Sequence, residues 1–114
     1  MEFRIFSEHW VRDREIFMFR CSTASASWTF YVDQQTLEEL DDDAYFDRAG
    51  VFDAFRPSIY RVARTRVAAG DPAGQHAITA KQIREARWLM HPGALQSGDR
   101  EAGAAQALQR LADQ

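Results

Sequence analysis

Apolar residues recur at helical spacing in the middle of the chain, and this is the clearest pattern in the sequence. They follow the i, i+3, i+4, i+7 rule at Phe52, Phe55, Ile59, Val62, Ala63 and Val67. The pattern predicts a helix over residues 51–69 that buries one face. Pro57 lies near its beginning, which predicts a start near Asp53 or a mild kink, and Gly70 is a suitable stop.

Alternating apolar and polar residues before this helix predict β-strands. Such runs occupy residues 2–6, 14–21 and 27–32, with a polar connection at 7–13. The small residues 22–26 between the second and third runs suit a hairpin loop. The three runs therefore predict an antiparallel sheet with an edge strand at the N-terminus.

A short helix is predicted directly after the third strand. Asp33 occupies an N-cap position, and Leu37 and Leu40 are spaced to anchor one helical face. The acidic residues that follow suit the start of another segment better than a helix end, because carboxylates oppose the dipole there. Residues 44–50 are predicted as a loop or a helical turn closed by Gly50.

The C-terminal third contains one more strand and one more helix. Residues 76–78 can add a strand, and residues 79–82 match a capping box that opens a helix ending at 91–93. Residues 93–114 are rich in Ala, Gln, Gly and charge, which predicts a flexible, low-complexity tail. The folded domain is predicted to span residues 1–92.

These elements together predict a small α+β domain. An antiparallel sheet of three or four strands carries the long helix on one face, with a second helix and a flexible C-terminal tail. Phe52 and Ile59 are expected to be buried against one of the two strand faces. The favoured face consists of Phe17, Phe19, Phe30 and Val32.

The order of these elements resembles a small bacterial family known as domain of unknown function 1488. The resemblance covers residues 2–84, and its matching positions are Val32–Glu39, Phe52, Ile59, Ala63, Gly70 and Ile78–Ile83. It rests on a hairpin, a Val-Asp-x-x-x-Leu-Glu helix start, a long helix before a glycine and an Ile-Thr-x-x-x-Ile helix start. The resemblance implies a fold but no activity, because the family has none established.

Composition is typical of a globular protein. The chain has 114 residues, 46% hydrophobic and 27% charged, with a formal net charge of −3. No apolar run approaches the ~20 residues that span a bilayer, and no signal peptide precedes the first strand. We therefore expect a cytoplasmic protein that does not contact a membrane. The single Cys21 cannot form an internal disulfide and suits a strand interior.

The sequence gives little support for a metal-binding site or a catalytic nucleophile. The acidic run at 38–43 lacks the alternating acids and central glycine of an EF-hand, so we interpret it as a solvated helix end followed by first-turn acids of the next segment. His9, His76 and His91 lie in separate segments without ligand spacing. Cys21 is more typical of a core residue than of a nucleophile. We predict no catalytic residue, no metal and no cofactor.

Arginines follow the acidic segment and form a candidate binding face. Arg61 and Arg64 lie on the exposed side of the long helix, with Arg56 and Arg66 at its margins and Tyr60 nearby. Such a face can contact phosphates, with the tyrosine as a stacking surface. The negative net charge and the lack of a nucleic-acid motif disfavour this hypothesis, so we expect no nucleic-acid partner.

Trp88 is the third candidate binding residue, because its position lies outside the apolar face of the last helix.

The sequence supports three functional hypotheses. The leading one is a non-enzymatic cytoplasmic protein-interaction or regulatory module, whose partner is another protein or a second copy bound at the open sheet face or edge. The alternative is a nucleic-acid-associated regulator that uses Arg61 and Arg64. The second alternative is an enzyme with an unrecognised pocket.

Overall fold

A computed structural model of the chain describes residues 2–90. The chain divides into two compact units, Met1–Ile83 and Arg84–Gln114, and the complete sheet belongs to the first. The predicted domain end at residue 92, the helix end at 91–93 and the tail at 93–114 lie outside the described residues.

The first unit is an α+β fold, as predicted. Its strands are β1 (Arg4–Val11), β2 (Ile16–Ser22), β3 (Ser27–Asp33) and β4 (Gly74–Ala77). Its helices are α1 (Gln34–Leu40), α2 (Arg48–Ala68) and the beginning of α3 (Ala80–Met90). Short 3-10 turns occupy Arg12–Arg14 and Asp42–Tyr45.

The sheet has four strands in the order β1-β2-β3-β4. The first three pair antiparallel as predicted, but β4 pairs parallel to β3, so the prediction of a purely antiparallel sheet is wrong. The cause is the long connection through α1 and α2, which returns the chain in the same direction, as a crossover must. The predicted strand at 76–78 lies two residues too late in the sequence.

Strand β1 is longer than predicted and includes most of the polar connection expected at 7–13. Ser7 has a left-handed φ of 56°, and the pairing with β2 shifts between Phe6 and His9. Such a bulge inserts a residue and exchanges the two faces of the strand beyond it. Apolar alternation is therefore interrupted in the sequence, although the strand continues.

Local capping chemistry fixes the helix boundaries. The Asp33 side chain accepts a hydrogen bond from the Thr36 N–H at 2.8 Å, which confirms the predicted N-cap of α1. The predicted capping box before α3 is also confirmed, because Thr79 and Gln82 exchange hydrogen bonds of 3.1 and 3.2 Å between side chain and backbone.

Helix α2 begins at Arg48, so the expected start near Asp53 is wrong, and the loop or helical turn predicted over 44–50 ends before Arg48 instead of at Gly50. Asp47 is its N-cap and accepts a hydrogen bond from the Gly50 N–H at 3.0 Å. A Cβ on Gly50 would lie only 2.9 Å from Asp47 Cγ, so glycine makes room for this cap rather than closing a loop. Pro57 lies inside the helix.

The end of α2 is a Schellman motif at the predicted stop. Gly70 has a φ of 99° and donates to the Val67 carbonyl at 3.1 Å, while Asp71 donates to the Arg66 carbonyl at 3.1 Å. Glycine adopts this left-handed conformation without the steric cost that a side chain adds.

The core lies between α2 and one sheet face, and the predicted burial is confirmed. Phe52 and Ile59 are both 0% exposed, and the Phe52 ring stacks on Phe17 with 3.7 Å between centroids. Tyr60 meets Phe19 edge to face at 5.0 Å. Within residues 2–90, no helix has the length and apolar character needed to cross a bilayer.

Candidate functional site

Several arginines of α2 contact the edge strand β1 instead of projecting as a free basic face. The Arg48 guanidinium lies 4.0 Å from the centroid of the Trp10 ring. Arg56 pairs with Glu8 at 2.8 Å and with Asp53 at 2.6 Å. These contacts place α2 along β1 and occupy side chains that could otherwise bind a phosphate.

The bulge in β1 is what turns Glu8 toward α2. Strict alternation from Phe6 would place residue 8 on the same sheet face as residue 6, away from the helix. The extra residue at Ser7 reverses this, and Glu8 accepts hydrogen bonds from Arg56 and from the Tyr60 hydroxyl. This network joins the strand to the helix, and its carboxylate is already occupied by two donors of the protein itself.

Arg66 has a structural role at the other end of α2. Its Nε donates to Asp71 Oδ2 at 2.7 Å, and its Nη1 donates to the Ala77 carbonyl at 2.6 Å. Its guanidinium also lies 5.3 Å from the centroid of Phe30. The side chain therefore ties the helix end to the following turn and to β4.

Arg61 and Arg64 are the residues of the predicted arginine face that remain exposed. The Arg64 guanidinium lies 5.2 Å from the ring of Phe3, which is a cation–π contact with a residue that precedes β1. The structure therefore separates the four predicted arginines into two that are held in ion pairs and two that face outward. Arg61 and Arg64 are three residues apart on one helix face.

Alanine at both Arg61 and Arg64 should change the free energy of unfolding by only ~0–1 kcal/mol, because exposed charges contribute little in water. The same double variant should bind mixed-sequence DNA and RNA no differently from the parent in a low-salt mobility-shift assay. A loss of binding in the double variant would contradict this and restore the helix to the role of a phosphate-binding face.

Trp88 lies on the last described turn of α3 and is 45% exposed, and its neighbour Leu89 is 61% exposed. The sequence prediction that Trp88 departs from the buried face agrees with this exposure. Both residues belong to the second unit of the chain, as does the buried Ala86. An exposed tryptophan beside an exposed leucine makes a small apolar patch.

Cys21 is 0% exposed and lies on the sheet face that α2 covers. Burial raises the pKa of its thiol to about 11, so the neutral form prevails at physiological pH. A nucleophile needs the thiolate, and this environment opposes it. Among residues 2–90, no group of three or more His, Cys, Asp or Glu side chains could hold a metal ion.

A cavity of about 400 Å³ opens beside the β2–β3 hairpin. Its lining consists of Glu2, Thr23, Ala24, Ser25, Trp28 and Val67. The indole N–H of Trp28 donates to the Asp71 carbonyl at 2.9 Å, so it is not available to a ligand. The cavity thus offers hydroxyl groups and one carboxylate without a paired acid and base.

The most exposed aromatic residues of the described chain are Tyr45 and Phe46, which the sequence analysis placed in a loop or helical turn and gave no role. Tyr45 is 73% exposed and Phe46 is 88% exposed. Their rings meet edge to face, with centroids 5.1 Å apart and planes at 85°. They follow Asp41, Asp42 and Asp43 and precede the N-cap Asp47, so carboxylates flank the pair in sequence on both sides.

The only sequence signal for this pair is that two aromatic residues are adjacent, because residues in a connection have no periodicity that separates buried from exposed positions.

Compared with protein-family models, with curated proteins and with solved structures, the chain matches none of them.

Proposed function

We propose that this chain is a non-enzymatic protein-interaction module that binds its partner through the aromatic pair Tyr45–Phe46. The exposure of these two side chains, 73% and 88%, is the observation that supports the proposal. Each aromatic side chain can bury ~150–250 Å² on contact, and its few rotatable bonds keep the entropy cost of docking low. Aromatic residues with these properties are enriched at the energetic centres of interfaces.

The negative charge of the residues around the pair favours a positively charged partner. The carboxylate of Asp41 accepts from the Asp43 N–H at 2.9 Å, and that of Asp47 accepts from the Gly50 N–H at 3.0 Å. These bonds fix the two carboxylates on the residues that flank the aromatic pair in sequence. A cationic protein segment, above all one containing arginine, can place its guanidinium groups over the rings and against the carboxylates.

The proposal also includes a cytoplasmic location and membership of the family known as domain of unknown function 1488. The single buried thiol of Cys21 is compatible with a reducing compartment. The partner can be a different protein or a second copy of this chain, provided that it presents a basic segment to Tyr45 and Phe46.

The test compares two double variants of the full-length chain. Tyr45→Ser with Phe46→Ser should abolish retention of a partner captured from the native host, whereas Trp88→Ser with Leu89→Ser should leave it unchanged. The second variant is a matched control, because it also removes two adjacent exposed apolar side chains. A purified partner should then bind the parent at least about tenfold more tightly than the first variant, and less tightly as salt increases.

Two results would contradict the proposal. If the Tyr45→Ser, Phe46→Ser variant captures the same partners as the parent, the aromatic pair is not the contact surface. If the Trp88→Ser, Leu89→Ser variant alone loses them, the contact surface lies on α3.

A further inference from the structure

The sheet face that points away from α2 has its own composition. Strand pairing places residues that lie directly opposite each other on the same face. On this face one row across the sheet is Phe6, Arg20, Thr29 and Gln75, and the next is His9, Met18, Tyr31 and Ala77. Helix α2 contacts the sheet through Phe17, Phe19 and Phe30, which all lie on the other side.

The face is accessible around Phe6 and Arg20, although Ile16 at the other end of β2 is only 7% exposed, and its accessible part is positively charged. Phe6 is 40% exposed, Arg4 and Arg20 are exposed, and Tyr31 is half-buried. Among the strand residues on this side, the only acid is Asp33 at the end of β3, and its side chain caps α1. The net charge of −3 therefore does not describe this surface, since 8 of the 17 acidic residues lie in the segment from 33 to 53.

Two aromatic rings flank a cation on this face. Phe6 is directly opposite Arg20, and Tyr31 is opposite Met18, two residues along β2 from Arg20. With ~4.8 Å between strands and ~3.4 Å per residue, the two ring positions lie roughly 12 Å apart. An exposed ring on β1 and a half-buried ring on β3, with Arg20 on the strand between them, suit unpaired bases and their phosphates.

We propose that this open sheet face binds single-stranded nucleic acid without sequence preference. Bases stack on Phe6 and Tyr31, and phosphates contact Arg20 and Arg4. A second copy of the chain is a poorer occupant, because two such faces would bring arginines against arginines. Duplex nucleic acid is also a poorer fit, because its bases are already stacked and cannot reach the rings.

Fluorescence anisotropy with a labelled ten-nucleotide oligothymidine tests the proposal on the full-length chain. Affinity should fall about sevenfold between about 50 and 200 mM salt, the change expected for two arginine–phosphate contacts on a single strand. Phe6→Thr should weaken binding about tenfold by removing one stacking surface while keeping a strand-forming residue.

A matched pair of charge reversals locates the site. Arg20→Glu should weaken binding about tenfold or more, whereas Arg61→Glu, which makes the same change on the exposed side of α2, should alter it less than about twofold. Both side chains are exposed, so neither variant is expected to unfold the protein. Arg20→Gln provides a second measurement that removes the charge without adding an acid.

Four outcomes would overturn the proposal. The first is no binding at about 100 µM protein in low salt, where even non-specific complexes form. The second is equal weakening by Arg61→Glu and Arg20→Glu, which would place any binding elsewhere. The third is equal affinity for a decaglutamate peptide, and the fourth is equal affinity for a duplex, since either would show an anion surface without base stacking.

Discussion

Replacing Phe52 with alanine should lower the free energy of unfolding by ~3–5 kcal/mol, the largest effect expected of any single change in this chain. The side chain is 0% exposed, and its ring stacks on Phe17 with a 3.7 Å centroid separation and a 16° interplanar angle. Alanine would leave a cavity between α2 and the sheet that rigid neighbours cannot fill. Urea denaturation of the purified protein measures the effect as a lower midpoint at unchanged slope.

Phe46→Ala is the matched control for this measurement. It removes the same atoms six positions earlier in the sequence, but the side chain is 88% exposed and directly follows the 3-10 turn before α2. Its midpoint should differ little from that of the parent, because an exposed ring loses almost no contacts. Equal midpoints for both variants would show that α2 does not cover the sheet.

The elements that could be predicted from the sequence are those specified by local chemistry. The i, i+7 spacing of Phe52 and Ile59 predicted the buried face of α2, because helical geometry alone aligns such residues. Asp33, Gly70 and the Thr79–Gln82 capping box were equally readable, since each satisfies backbone groups within a few residues of itself.

The elements that could not be predicted depend on residues that are distant in sequence. The direction of β4 follows from how the chain returns through α1 and α2, and a four-residue strand has no signal for it. The extent of β1 was missed because the left-handed Ser7 interrupts alternation. Pairing with β2 maintains the strand beyond that point, and the sequence of β1 alone does not reveal this pairing.

The candidate surfaces show the same limit. Helical spacing correctly placed Arg61 and Arg64 outward, but it could not show that Arg56 reaches Glu8, which lies 48 residues earlier. The open sheet face is also invisible in the sequence, because Phe6 and Arg20 become neighbours only through the register of β1 and β2. A surface assembled from several strands requires the pairing before its chemistry can be interpreted.

Replacing Arg66 with methionine should lower the free energy of unfolding by ~1–3 kcal/mol, the range for partly buried hydrogen bonds to a charged group. Methionine keeps an aliphatic stem near Phe30 but loses the bonds to Asp71 at 2.7 Å and to the Ala77 carbonyl at 2.6 Å. The Arg66 side chain is only 21% exposed, so solvent cannot fully replace those partners. Thermal and urea unfolding of the purified variant measure the loss.

Arg61→Met on the same helix is the control, and it should leave stability within about 0.5 kcal/mol of the parent because its side chain already faces water. The loss in Arg66→Met should also shrink at high salt, as the ion pair with Asp71 is partly screened in the parent. If Arg66→Met proves as neutral as Arg61→Met, the contacts to Asp71 and Ala77 do not hold the helix end. Arg66 would then be able to contact phosphates together with Arg61 and Arg64, which its ion pair with Asp71 otherwise prevents.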